Sequence, residues 1–163
     1  MTDVPVTPSR TILDETIAHL QALIRLDSSN PPGNELAVAR YLDGVFRAEG
    51  IETWLDEPAE GRAALIARLR GDGSARALLL MAHMDVVGVE AEKWSVPPFG
   101  GELHDGYVYG RGAIDDKGML ACNLAAMLLV GRAMAASGRR PSRDIIFLAT
   151  SDEETGGAYG IDW

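Results

Sequence analysis

The stretch Leu78-Leu79-Leu80-Met81-Ala82-His83-Met84-Asp85 decides how this chain is read. Its apolar run follows a Gly71-Asp72-Gly73 turn signal and reads as a buried strand. His83 and Asp85 stand two apart at its end, so strand alternation puts both on one side. A neutral imidazole is a standard metal ligand, and a carboxylate on its other nitrogen fixes the tautomer. The layout recurs twice. Tyr107-Val108-Tyr109 leads to Asp115-Asp116, and Ile145-Ile146-Phe147-Leu148-Ala149 reaches Asp152-Glu153-Glu154. Apolar runs that end in ligand-type side chains are what a metal crevice at the carboxyl edge of an α/β sheet looks like in one dimension.

Each cluster also has a plainer reading. His83-Met84-Asp85 alone is a strand-end histidine with a turn aspartate. Asp115 alone caps a helix, where free amides and the dipole favour a carboxylate. Capping accounts for one aspartate but not for a pair flanked by Arg111 and Lys117. Asp152-Glu153-Glu154 alone is a solvated acidic loop, although three adjacent carboxylates repel one another unless cations or protons separate them. Gly110-x-Gly112 between a strand and a helix invites a dinucleotide reading. That fingerprint wants a third small residue where Asp115 stands, and a carboxylate there repels a pyrophosphate.

Outward from these clusters, residues 9–26 carry Leu13, Ile17, Leu20 and Ile24 at helical spacing behind a capping Ser9. Asn30-Pro31-Pro32-Gly33 interrupts them, Asn34 opens a second helix, and Gly50 closes it. Residues 51–55 and 63–69 read as strands, with 63–69 expected to form a hairpin with 77–82. Residues 86–105 read as a long functional loop anchored by Trp94 and Phe99, with 102–106 as a turn. A long helix spans 116–137, a buried strand 144–150, and another helix begins at Gly157.

With 163 residues, 47% of them hydrophobic, the chain is long enough to bury a core. A net charge of −9 without a dense basic run disfavours nucleic acid as a partner. Residues 1–8 read as a polar leader without a signal-peptide core, and no run is expected to reach the roughly 18 apolar residues that span a bilayer. The expected location is therefore the cytoplasm, with no membrane partner. The single cysteine, Cys122, sits in an Ala/Leu-rich helical stretch and reads as a small buried hydrophobe.

Taken together and in this order, the three clusters, with Gly110-Arg111-Gly112, Lys117-Gly118 and Gly156-Gly157, resemble the di-zinc metallopeptidase and amidohydrolase family of aminoacylase, acetylornithine deacetylase, succinyl-diaminopimelate desuccinylase and glutamate carboxypeptidase. Asn30-Pro31-Pro32-Gly33-Asn34-Glu35 and the stretch from Trp94 to Gly101 support the match. The resemblance implies an α/β fold, a three-layer α/β/α zinc-peptidase-like catalytic domain with a mixed sheet. It implies two zinc ions, for which cobalt or manganese can substitute. His83, Asp115 and Glu154 become metal ligands, with Asp115 shared between the ions and followed by a cis peptide. Glu153 becomes the general base and Asp85 the carboxylate that orients His83. The implied substrate is a small N-acylated amino acid or peptide, and the implied parent enzyme a homodimer.

The resemblance also implies parts that lie outside this chain: a further acidic ligand, a distant histidine ligand, and a lid or dimerisation domain. His19 and His104 match no family ligand. Residues 9–163 are accordingly expected to be the N-terminal part of a catalytic domain, truncated at Trp163. The competing expectation is a non-catalytic fragment that binds metal weakly or pairs with another chain.

Overall fold

The computed structural model describes residues 10–162, so Ser9, the leader and Trp163 lie outside the described residues. Two helices come first, α1 (Arg10–Arg25) and α2 (Glu35–Ala48). The strands β1 (Glu52–Ala59), β2 (Arg62–Leu69), β3 (Leu78–His83), β4 (Glu102–His104) and β5 (Tyr107–Tyr109) follow. The helix α3 (Lys117–Ser137) and the strand β6 (Ile145–Thr150) complete the order. The fold is α/β with a mixed sheet, as expected.

Strand order in the main sheet is β1-β2-β6-β3, with β6 antiparallel to β2 and parallel to β3. The expected hairpin between 63–69 and 77–82 is therefore incorrect, because β6 lies between them. A glycine turn is a local signal, whereas β6 is apolar on both faces and gains most from a neighbour on each side. The turn instead crosses the start of β6. Asp72 N–H donates to the Pro141 carbonyl and Ala75 N–H to that of Ser142, while the Asp144 carboxylate accepts from Gly71 N–H and from Arg68. A Cβ on Gly71 would lie 2.3 Å from the Arg143 backbone, so only glycine permits this crossing.

Register shows how the core is built. Leu55 faces Leu65, Leu65 faces Ala149, Ala67 faces Phe147, Leu80 faces Phe147 and Ala82 faces Ala149. These residues share one sheet face, onto which α2 and α3 pack with Leu42, Phe46, Leu120, Leu124 and Leu128. Phe46 and Phe147 meet edge to face at 5.0 Å in the middle. On the opposite face Trp54, Ile66, Leu79 and Met81 are exposed. The described residues thus supply two of the three layers of the expected sandwich.

Three local readings need correction. Residues 102–104 are a strand, pairing with β5 across Asp105 and Gly106, both at positive φ as a tight hairpin requires. Residues 157–162 form turns instead of a helix, because Gly156 and Gly157 take φ of 114° and 82°. Cys122 is exposed, since α3 is apolar nearly all round and only one stripe of it meets the sheet. For the same reason α3 is long and apolar enough to cross a membrane by length and composition, against the expectation above. Its Leu120, Leu124, Met127 and Leu128 stripe is packed into the core.

Phe147 has no exposure and contacts both helical and strand layers. Phe147→Ala should lower unfolding free energy by about 3–5 kcal/mol, measured by urea denaturation.

Candidate metal centre

The parallel pairing of β3 with β6 sets His83 opposite Thr150, so both strands end at the same sheet edge. The next residues stay together: Met84 N–H donates to the Thr150 carbonyl at 2.8 Å. The loop after α1 joins them from the other side. Ser29 bridges Val86, Asn30 N–H donates to the Val86 carbonyl, and Ser28 Oγ donates to the Met84 carbonyl. Met84, Asp85 and Ser28 are wholly buried in consequence.

Asp85 is the hub of this edge. Its carboxylate accepts from Asn30 Nδ2 at 2.8 Å, Glu153 N–H at 3.1 Å and Glu154 N–H at 3.0 Å. Its Oδ1 also lies 3.3 Å from His83 Nδ1, which is 3.0 Å from the Asp85 carbonyl oxygen. Burial favours a neutral Asp85, but these hydrogen bonds outweigh it and hold the carboxyl down to about 2. Burial likewise opposes charge on His83. The contacts with Asp85 and Asp115, and the field of Asp116, outweigh that and raise it to about 9.

The other imidazole nitrogen faces the opening. His83 Nε2 lies 2.9 Å from Asp115 Oδ1 and 3.8 Å from Glu153 Oε2. Nitrogen and carboxylate oxygens of His83, Asp115 and Glu154 all fall within 4.8 Å of one another. Asp115 and Glu153 side chains are 76% and 61% exposed, so a ligand can reach them. Asp115 arrives by a different route from the others. It follows β5, which belongs to the separate hairpin and not to the main sheet, and a cis Asp115–Asp116 peptide precedes α3. Burial, then the neighbouring carboxylates, push Glu154 and Asp116 upward, so the cluster resists full ionisation without a cation. That donor set, one imidazole and convergent carboxylates, fits a divalent metal such as zinc.

Residues 79–163 match the sequence pattern of peptidase family M20/M25/M40. The chain belongs to this family. Succinyl-diaminopimelate desuccinylase of Bradyrhizobium sp. (strain ORS 278) is 46% identical over 138 residues, covering 81% of this chain and 34% of that protein. The enzyme of the same name from Rhodopseudomonas palustris (strain BisA53) is 36% identical over 92% of this chain and 37% of its own length. The M20 family metallo-carboxypeptidase Sso-CP2 from Sulfolobus solfataricus superposes with a TM-score of 0.72 at 24% identity, over 88% of this chain and 32% of that one. The chain spans about a third of the length of these relatives. The M20 family is one of metal-dependent peptidases.

Behind the M20 edge lies a buried network that the sequence did not disclose. Arg62, at the start of β2, pairs with Glu35 at 3.1 Å and with Asp152, and donates to Asn30 Oδ1 at 3.1 Å. Asn30 Nδ2 reaches Asp152 at 3.1 Å as well as Asp85, and Asp152 N–H donates to Glu35. Burial pushes Glu35 up, whereas Asp152 is held down against burial by hydrogen bonds from Thr155 and Asn30 and by the Arg62 charge. Arg62 thus neutralises the carboxylate that begins the Glu153-Glu154 turn. The available signal was a lone arginine heading an apolar strand.

Arg62→Met should therefore cost about 3–5 kcal/mol in thermal or urea unfolding, since it leaves two acids buried without a counter-charge. Asn30→Ala, which removes amide hydrogen bonds only, should cost about 1–3 kcal/mol.

Proposed function

We propose that this chain belongs to an enzyme that hydrolyses an amide or peptide bond of a small N-acylated amino acid or peptide with two zinc ions. The observation that carries the reading is the convergence of His83, Asp115 and Glu154 within 4.8 Å, with Glu153 alongside. His83 and Asp115 would hold one ion, and Asp115 and Glu154 the other. Bound zinc supplies Lewis acidity, polarising the amide carbonyl and acidifying water. Glu153 accepts the proton of the attacking water at its carboxylate and returns it to the leaving amine. Asp85 keeps the His83 ring oriented and its Nε2 aimed outward. Succinyl-diaminopimelate desuccinylases supply the first substrates to assay, N-succinyl amino acids.

A second reading follows from the donor count. Three side chains serve two ions, where a catalytic zinc takes about three protein ligands of its own. We infer that residues 9–163 are the N-terminal part of the catalytic domain, and that this segment by itself binds metal weakly and does not turn over substrate. Comparing metal content and N-acyl amino acid hydrolysis between residues 1–163 and the full-length protein separates the two. Tight stoichiometric zinc with turnover by the segment would overturn the second reading.

Glu153→Gln should lower kcat by about 10²–10⁴-fold with metal content unchanged in the full-length protein, checked by elemental analysis beside steady-state kinetics. Metal affinity should also depend on pH with a definite sign. His83 is charged below about 9 in the metal-free site, and ligation needs it neutral. Zinc affinity should rise about tenfold per pH unit from 7 toward 9, with proton release detectable by calorimetry in buffers of different ionisation enthalpy. Equal affinity at pH 7 and pH 9 would mean that His83 is already neutral at pH 7, and unchanged zinc affinity in His83→Ala would count against it as a ligand.

A further inference from the structure

The described arginines that are not exposed divide into two kinds. Arg62, Arg68 and Arg132 each sit on a carboxylate, as expected in a chain with 24 acids against 15 basic residues. Arg111 does not. It is half-buried, its Nε is enclosed without an acceptor, and among the described residues no carboxylate lies within ion-pair distance of it. A guanidinium whose Nε is enclosed without an acceptor and that has no anion beside it is unfavourable, so Arg111 calls for a partner.

Its surroundings define that partner. The guanidinium lies over the Trp94 ring, 5.5 Å from the centroid, which holds the charge at this aromatic face. The backbone beneath is equally fixed. Arg111 N–H donates to the Pro98 carbonyl at 2.7 Å, and a Cβ on Gly110 would meet Ile24 at 2.4 Å. Arg111 and Trp94 line a cavity of about 380 Å³ together with Tyr107, Tyr109, Ile114 and Asp115. Its walls are mostly aromatic and aliphatic, its one cation is Arg111, and its lining includes Asp115 of the His83-Asp115-Glu154 cluster. A planar fork over an apolar wall suits a carboxylate carried on a short carbon chain.

We propose that Arg111, held over Trp94, seats a carboxylate of the substrate while the amide to be cleaved lies toward Asp115. The proposal rests on the hydrolase reading above and narrows its substrates to anionic amides. Arg111 determines specificity through binding and takes no part in the bond-making step.

Two measurements on the full-length protein decide it. In the first, chelator-treated protein is titrated with succinate, followed by tryptophan fluorescence, with neutral succinamide as control and Trp94→Phe to identify the reporter. Succinate should bind, succinamide should not, and Arg111→Met should abolish the response. In the second, the metal-loaded enzyme is assayed with N-succinyl-alaninamide, N-acetyl-alanine and neutral N-acetyl-alaninamide. Arg111→Met should raise KM about 10–100-fold for whichever carboxylated amide uses the seat, with kcat preserved and the neutral amide unaffected. Arg111→Lys keeps the charge and should recover part of that loss, which separates binding from a folding defect. Failure of wild-type protein to bind succinate, an unaltered affinity in Arg111→Met, or an equal KM rise for the neutral amide would overturn the proposal. Absence of hydrolysis on every amide, with succinate binding still dependent on Arg111, would remove the hydrolase reading and leave the carboxylate seat.

Discussion

The site depends on one buried carboxylate. Asp85 stands two residues beyond the end of β3, has no exposure, and receives the amides of Glu153 and Glu154 from the turn after β6. Parallel pairing brings the two strand ends to the same edge, but pairing stops at Thr150. Beyond that point the Asp85 hydrogen bonds hold the acidic turn against the histidine. The same carboxylate sets the imidazole, because His83 Nδ1 is turned inward to it and Nε2 is left facing Asp115. A shift of Asp85 would therefore move an imidazole nitrogen and two carboxylates together.

That arrangement concentrates negative charge, and the fold offsets it unevenly. On the inner side Arg62 lies between Glu35 and Asp152, which allows the first acid of the turn to stay ionised while buried. On the outer side no arginine or lysine pairs with Asp115, Glu153 or Glu154 among the described residues, and His83 is their nearest cationic neighbour. Glu154 and Asp116 are consequently pushed upward by burial and by like charge. The inner carboxylates have a permanent protein counter-ion. The outer ones have none, and this is the electrostatic state that a divalent cation relieves.

The parts legible in the sequence were those with local patterns. β3 and β6 stand out as apolar runs, and His83, Asp115 and Glu154 end or follow such runs, so the side chains that converge at this edge were legible residue by residue. Partner choice between strands was not legible. Gly71-Asp72-Gly73 looks like a hairpin turn whether its strands pair or β6 enters between them, and only packing over some 70 residues of separation decides. The phase of α3 was hidden for the opposite reason. A helix that is apolar nearly all round carries little moment to say which side is buried, so Cys122 reads as a core residue in sequence and lies outside the core in the fold. Asn30 reads as a loop residue and Arg62 falls just ahead of the expected 63–69 strand, because their partners, Asp85 and Asp152, are distant in sequence.

The sheet itself bears on how the chain works. Its helix-covered face holds Leu65, Ala67, Phe147 and Ala149 fully buried, whereas Trp54, Ile66, Leu79 and Met81 on the reverse are exposed. Water-facing sheets of antiparallel strands alternate apolar with polar residues, but β3 and β6 are apolar on both faces. Such strands are suited to a sheet covered on both sides. The edge that carries His83 and the Glu153-Glu154 turn belongs to those same two strands.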